Sequence, residues 1–373
     1  MHTCLLINNC PKPGDGVHSK LGGGDLSLLA LLAGLPDKGW QAHVAVPGLG
    51  QLTDILLLRD IPFTVMPFER IGWDAPLRSL NATLSWRRFI KQIRPELIHA
   101  NTTSVIRSFA WAAASLGIPY ISHVRFIMDP GETRWTFRYF PKPRAFIFVS
   151  EALKREFWPE FSHYCPQSQC HVVHNAVDLA RFHEEPLPKA LPHRIGIVAN
   201  LAPFKRHEDF LRMAAEMLKE RQDLEFLIIG EDVLGKGRRE ILMSLATELG
   251  VERYFHFLGH RRDIPEILHS LHLLVLTSED EPFGRVIIEG MASGRPVIAT
   301  ESGGIPEIIE NGLTGRLVKV GDYQAISQAA LALLSDRKAM EVMGQLAAAA
   351  VRSRFSLTSH AARISDIYNR IVS

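Results

Sequence analysis

No stretch of this 373-residue chain strings together the roughly 18–20 apolar residues that a membrane span needs. The first residues, MHTCLLINN, lack a basic region followed by a long apolar run, so no secretory signal is expected. Cysteine is scarce, with only Cys4, Cys10, Cys165 and Cys170. The last two form a close pair, CPQSQC, but no second pair or histidine cluster completes a metal site. Reduced thiols of a cytoplasmic protein are the simplest reading. There is no low-complexity tract, and a net charge of +2 gives no whole-molecule attraction to nucleic acid. The dinucleotide fingerprint is incomplete. NNCPKPGDGVHSKLGGGDLSLL has Gly14 and Gly16 but Ser19 where the third glycine belongs, and IGIVANLAPFKRH has no glycine at its turn. A Walker lysine loop is missing too.

What remains is a globular composition, 46% hydrophobic and 22% charged, in a chain long enough for two domains with separate cores. Short runs rich in Val, Ile and Leu alternate with helical patterns. TCLLINN, QAHVAVP, ELIHAN, PYISHVRF and AFIFVS read as buried strands, separated by helices such as DLSLLALLAGLPDKGW and SLNATLSWRRFIKQI. A second series follows: RIGIVANL, EFLIIGE, YFHFLG, LHLLVLTS and PVIATE. The Pro-rich stretch 186–192 reads as the linker between them. The βα rhythm predicts two doubly wound parallel-sheet domains facing each other across a cleft, over 1–185 and 193–355. A final amphipathic helix covers 356–373. Ligands are expected outside the carboxyl ends of the strands.

The most informative stretch is TSEDEPFGRVIIEGMASGRPVIATESGGIPEIIENG. Glu281 precedes a Pro-Phe-Gly turn and Glu289 lies on the helix that follows. The helix start around Gly284, Arg285, Val286 and Ile287 offers N–H groups and a dipole suited to a phosphate. Glu289 is placed to accept from a vicinal diol such as ribose, and Glu281 from hydroxyls beyond the diphosphate. Lys205, after the strand RIGIVANL, is placed to neutralise a diphosphate, with Arg206 either sharing that task or solvated. TESGGIPEII predicts a further helix started by Pro306. RDIPEI reads as a capping box, Asp263 reaching forward and Glu266 back. Between residues 125 and 155 basic and aromatic residues interleave, and LSWRRFIKQIRPE adds Arg87, Arg88, Lys91 and Arg94. A solvated basic face competes there with docking to an anionic membrane or acceptor.

With these motifs the chain resembles the retaining glycosyltransferases of the GT-B fold, specifically glycosyltransferase family 4. EPFGRVIIEGMASGRPVIATESGGIPEII carries the resemblance most strongly. GGGDLSLLALLAGL, HNAVDLARF, VANLAPFKRHEDF and FLGHRRDIPEIL support it. The resemblance implies transfer of a sugar from a UDP- or GDP-sugar to a hydroxyl acceptor, a glycan or lipid-linked precursor, with no metal and no other cofactor. It implies that Glu281 contacts the donor sugar, which Phe283 and Gly284 line, that Glu289 holds the ribose and that Lys205 grips the diphosphate. Gly22 and Gly23 approach the same phosphates, and the base lies near Gly259, His260 and Arg261. Asn200 stands where the family often has an arginine, Arg206 where it commonly has glycine, and Asp25 where it has glutamate. Arg125 aligns with a histidine beside the reacting sugar, with His123 two residues away as the alternative. Asn101 is a further acceptor-side candidate. The expected location is cytoplasmic, with peripheral contact at the inner face of the membrane in the membrane reading. The rival functions are a GT-B sugar-nucleotide epimerase and a non-catalytic sugar-nucleotide-binding protein.

Overall fold

The computed structural model describes residues 2–9, 21–69, 72, 76–128, 130–233 and 235–373. The fingerprint-like Gly14, Gly16 and Ser19, and Cys10, lie outside the described residues. The chain divides into two compact units, Met1–Ala176 with Leu357–Ser373, and Val177–Ser356.

Among the described residues the first unit carries seven parallel strands: β1 (His2–Ile7), β2 (Trp40–Val46), β3 (Phe63–Val65), β4 (Leu97–Ala100), β5 (Tyr120–Val124), β6 (Ala145–Phe148) and β7 (Gln169–Val172), in the order β3-β2-β1-β4-β5-β6-β7. Leu97–Ala100, Tyr120–Val124 and Ala145–Phe148 are buried along their whole length, as strands covered on both faces must be. The helix Leu357–Val372 returns to this unit and packs on the helix Gly23–Gly34. Their approach depends on Gly34, where a Cβ would fall 2.6 Å from the Ala361 Cβ. Tyr368 and Ile364 join the core there, and Trp40 Nε1–H donates to Asn369 Oδ1 at 3.0 Å.

The second unit holds β8 (His193–Val198), β9 (Leu224–Ile229), β10 (Phe255–Gly259), β11 (Leu273–Leu276), β12 (Val297–Thr300) and β13 (Arg316–Val318), in the order β10-β9-β8-β11-β12-β13. Both sheets therefore reverse direction of growth once, between β1 and β4 and between β8 and β11, which is where doubly wound sheets open a ligand crevice.

Three edge strands, β3, β7 and β13, escaped the sequence reading. They are three or four residues long and incompletely buried, so they lack the apolar run that marks the inner strands. The Pro-rich stretch 186–192 is not the junction. Residues from Val177 onward already belong to the second unit, and two arginines fasten the stretch to it. Arg295, fully buried, donates to the carbonyls of Glu185 and Pro186. Arg337 donates to those of Leu187 and Pro188 at 2.9 and 2.8 Å.

The second unit also encloses neutral histidines. Burial, with help from Arg238 and Lys205 and against Glu208, pushes His207 down to about 4. Burial likewise takes His272 to about 4. An unfolded chain protonates histidine near 6.5, so between about pH 6.5 and 4 the unfolded state binds more protons and stability falls as pH falls. Moving from pH 7 to pH 5 should remove on the order of 2 kcal/mol through His207 alone. Urea unfolding at the two pH values reads this directly, and equal midpoints would contradict it.

Candidate functional site

After β8 the chain forms a single 3-10 turn, Pro203–Lys205, before the helix His207–Met217. Thr277, at the end of β11, pins this turn: its hydroxyl lies 2.8 Å from the carbonyl oxygen of Lys205 and 3.0 Å from that of Arg206. The Glu279 N–H donates to the Phe204 carbonyl at 2.7 Å. The loops after β8 and β11, the two strands at the switch point, are thus tied together by their backbones. That brings Lys205 Nζ onto Glu281 Oε2 in an ion pair whose side chains are only 14% and 11% exposed.

Arg206 does not join that pair. It takes a left-handed conformation at φ 51° and directs its guanidinium to Asp209 Oδ2 at 2.6 Å and Glu279 Oε2 at 2.9 Å. The Asp209 bond, foremost, raises its pKa. In this structure two carboxylates hold the Arg206 guanidinium, so it is engaged and not merely solvated.

Glu281 is fixed from the β12 side. Its N–H points to Ser302 Oγ at 3.4 Å, and its carbonyl accepts from Gly304 N–H at 2.9 Å. Gly303, at φ +50°, passes so close that a Cβ there would stand 2.0 Å from the Glu281 carbonyl oxygen. The chain then turns through Gly284, at φ 97°, which caps the helix Arg285–Ala292. Phe283 is buried against Phe355, and Ile287 is buried in the helix's inner face, while Val286 is half-buried. Glu289, 8% exposed, accepts from Arg285 Nη2 at 2.8 Å one turn earlier. The helix expected from Pro306 is only the 3-10 turn Ile305–Glu307.

The rim comes from β8, β9 and β10. Asn200 is exposed after β8. Gly230 after β9 packs against it, where a Cβ would meet the Ala199 carbonyl oxygen at 1.8 Å. Gly230 N–H donates to the Gly259 carbonyl at 2.9 Å, and His260 Nδ1 lies 3.9 Å from Glu231 Oε1. The capping box at Asp263 is not formed. Asp263 turns back to bind Arg261 through two bonds of 2.8 and 2.5 Å, so no side chain caps Ile264–Ser270.

In the first unit the expected acceptor-side residues gather at the carboxyl ends of β4 and β5, but inside the protein. Asn101 and His123 are fully buried and Arg125 is 6% exposed. Asn101 Nδ2 donates to Asn8 Oδ1 at 2.6 Å, and its Oδ1 accepts from Arg125 Nη2 at 2.9 Å. Both ends of that amide are engaged, and its oxygen holds Arg125. His123 Nδ1 sits 3.0 Å from Arg125 Nη2 and 3.3 Å from His99 Nε2, whose other nitrogen meets Tyr368 at 2.5 Å. Burial first, then the Arg125 charge, holds His99 and His123 well below the usual histidine range, so both are neutral. Gly22 caps the helix Gly23–Gly34, but its N–H is taken by Asp25 Oδ2 at 2.8 Å, while Asp25 Oδ1 accepts from Asn8 at 2.7 Å. That N–H, which the sequence had offered to a phosphate, is engaged within its own turn here. Asn8, His99 and Tyr368 were not singled out from the sequence, since single polar residues inside apolar patterns give no local signal, and Asn175 was read only as part of the HNAVD motif.

Among the described residues, no group of three or more His, Cys, Asp or Glu could hold a metal, and no helix is long and apolar enough to cross a membrane. A cavity of about 680 Å³ lies at the amino ends of β4, β5 and β6, opposite the strand ends that carry these residues.

The whole chain superposes on glycosyltransferase structures. HepE of Anabaena, solved with UDP and glucose, matches with a TM-score of 0.83 and 22% identity over 99% of this chain and 100% of that one. A glycosyltransferase from Rickettsia africae gives a TM-score of 0.83 and 19% identity over 100% and 99%. The fold is thus GT-B, two Rossmann-like parallel-sheet domains. The family model described as Glycosyltransferase Family 4 matches residues 21–181, and that described as Glycosyl transferases group 1 matches 181–349. The chain belongs to this glycosyltransferase family. Among curated relatives, N-acetyl-alpha-D-glucosaminyl L-malate synthase of Bacillus anthracis is 34% identical over 46% of this chain and 44% of its own. D-inositol 3-phosphate glycosyltransferase of Thermobispora bispora is 30% identical over 55% and 51%. The chain thus spans about half the length of the curated relatives it matches.

Proposed function

We propose that the protein is a retaining hexosyltransferase that moves a sugar from a UDP- or GDP-sugar to a hydroxyl of a glycan or lipid-linked acceptor, in cell-surface polysaccharide or glycolipid synthesis. The observation that carries this reading is the pairing of Lys205 with Glu281 at the β8–β11 switch point, with Glu289 on the helix that follows. In the reading, Lys205 and the first N–H groups of Arg285–Ala292 receive the diphosphate, Glu289 the ribose diol and Glu281 the sugar hydroxyls. The bond from the sugar's anomeric carbon to the phosphate oxygen breaks, its electron pair staying on the diphosphate. The acceptor oxygen bonds to that carbon on the same face and passes its proton to the departing phosphate oxygen. Lys205 stabilises the charge that develops there, and metal independence belongs to this proposal.

The unliganded pairing has a thermodynamic consequence. A diphosphate reaching Lys205 displaces Glu281, and a sugar then occupies the released carboxylate. Glu281→Gln should therefore bind bare nucleoside diphosphate several-fold more tightly while losing transfer. Glu289→Ala should bind it more weakly, because the ribose contact is gone. Calorimetric titration with UDP and GDP separates the two. Equal weakening in both variants would contradict the assignment.

Peripheral contact with an anionic membrane at the cytoplasmic face is part of the proposal. The helix Pro76–Ile93 supports it: Leu77, Leu80 and Leu84 are exposed, and the helix carries Arg78, Arg87, Arg88 and Lys91 without a carboxylate. The 125–155 stretch supports it less, because Arg125, Phe137 and Phe140 are buried.

A further inference from the structure

Asn175 belongs to the stretch HNAVD, for which neither the sequence nor the proposed chemistry supplies a role. It follows β7, is 6% exposed, and comes to Arg125 from a segment 50 residues away. Its Oδ1 accepts from Arg125 Nη1 at 2.9 Å. The Ser27 hydroxyl lies 3.0 Å from the same oxygen and 3.0 Å from the Gly23 carbonyl, sharing one proton between them. Asn101 holds the other side of the guanidinium. Its Oδ1 accepts from Arg125 Nε at 3.1 Å and Nη2 at 2.9 Å, and its Nδ2 donates to the Gly24 carbonyl at 3.1 Å. Two amides from two different elements thus grip opposite edges of one planar cation. Both are also tied to the turn that opens the helix Gly23–Gly34.

We propose that Asn175 is a positioning residue: by holding Nη1 and sharing the Ser27 hydroxyl with the Gly23 carbonyl, it fixes the register of the Arg125 guanidinium with the Gly22–Gly24 turn. Asn101 and His123 hold the Nε–Nη2 edge, and Asn175 adds the bond at Nη1 that links the guanidinium, through the Ser27 hydroxyl, to the Gly23 carbonyl. An amide is suited to this task because its oxygen accepts the same hydrogen bond as a carboxylate without neutralising the arginine. The charge of Arg125 stays available to the groups it serves. This inference rests on the proposed transfer reaction, in which Arg125 stands on the acceptor side.

The test pairs Asn175→Ala and Asn175→Asp, each alone and combined with Arg125→Ala. Asn175→Ala should lower kcat by on the order of 10²-fold, as small misplacements do, with donor KM changed by less than about threefold. Titration with UDP or GDP should match wild type, because Lys205, Glu281 and Glu289 are untouched. Asn175→Asp keeps the acceptor geometry but pairs the charge, so it should fold as well as wild type and still lose turnover. A purely structural role would see that variant recover. In the Arg125→Ala background, Asn175→Ala should add no further loss. Wild-type kcat in Asn175→Ala, or losses that simply multiply with Arg125→Ala, overturns the inference. A readout without turnover stands beside these. The Arg125 side-chain N–H signals in ¹⁵N spectra, identified by their absence in Arg125→Lys, should be resolved in wild type and broadened or shifted in Asn175→Ala. If no donor is turned over by wild type, the transfer reading fails. Unchanged Arg125 signals in Asn175→Ala would remove the positioning role independently.

Discussion

Lys205→Met should lower turnover at saturating donor by two to three orders of magnitude, the loss expected when a group aimed at developing charge is removed from an enclosed site. The structure adds a second effect. Glu281, its partner, has a side chain only 11% exposed, and removing one member of an enclosed ion pair leaves the other charge uncompensated. The single variant should therefore also unfold at lower temperature. Lys205→Met combined with Glu281→Gln should recover the unfolding temperature and remain inactive. That separates the electrostatic role from damage to the fold. Near-normal turnover in Lys205→Met would take the lysine out of the reaction.

Gly303→Ala should be comparably severe for a different reason. The backbone at 303 is left-handed, and the added methyl would lie 2.0 Å from the Glu281 carbonyl oxygen, a backbone atom that no rotamer change can move. Either Gly303 or the Glu281 peptide must shift by about an ångström, which costs about 2–4 kcal/mol in strain and displaced packing. It also carries the carboxylate off its position, enough for on the order of 10²-fold in transfer. Gly250→Ala is the control. Gly250 is also left-handed, at φ +69°, but nothing lies within 4 Å of its added carbon. It should lose about 1–2 kcal/mol for the backbone alone and keep its turnover. Equal activity losses in the two variants would show that the Glu281 contact is not what matters.

The inner strands were legible because both faces are buried, so each is written as an unbroken apolar run. β3, β7 and β13 sit toward or at the sheet edges and carry no such run. The domain junction was misread for a related reason. Proline density at 186–192 suggests a linker, while Arg295, which pins that segment to the second unit, lies about a hundred residues on and looks like any surface arginine until its burial is seen. The places of Lys205 and Glu281 after strand ends, and of Glu289 on the following helix, could be read from the sequence. Their partnerships could not. Lys205 and Glu281 are 76 residues apart, and Arg206 looks like Lys205's companion until Asp209 and Glu279 claim it. Asp263 shows the same limit at short range, since its spacing to Glu266 fits a capping box but Arg261 competes for it and wins. The network around Arg125 was least visible. Asn8, Asn101, Asn175 and Arg125 come from four segments and become a unit only when the sheet is assembled.

The measurement that tests the central claim most directly is proton NMR of the anomeric region during incubation with α-linked UDP- and GDP-sugars, with water or an added alcohol as acceptor. The expected result is free nucleoside diphosphate with a first-formed product that keeps the donor's anomeric configuration, in wild type and not in Lys205→Met. An inverted product would contradict retention. Appearance of an epimeric nucleotide sugar, or of intact donor alone throughout the panel, would contradict the transferase account itself.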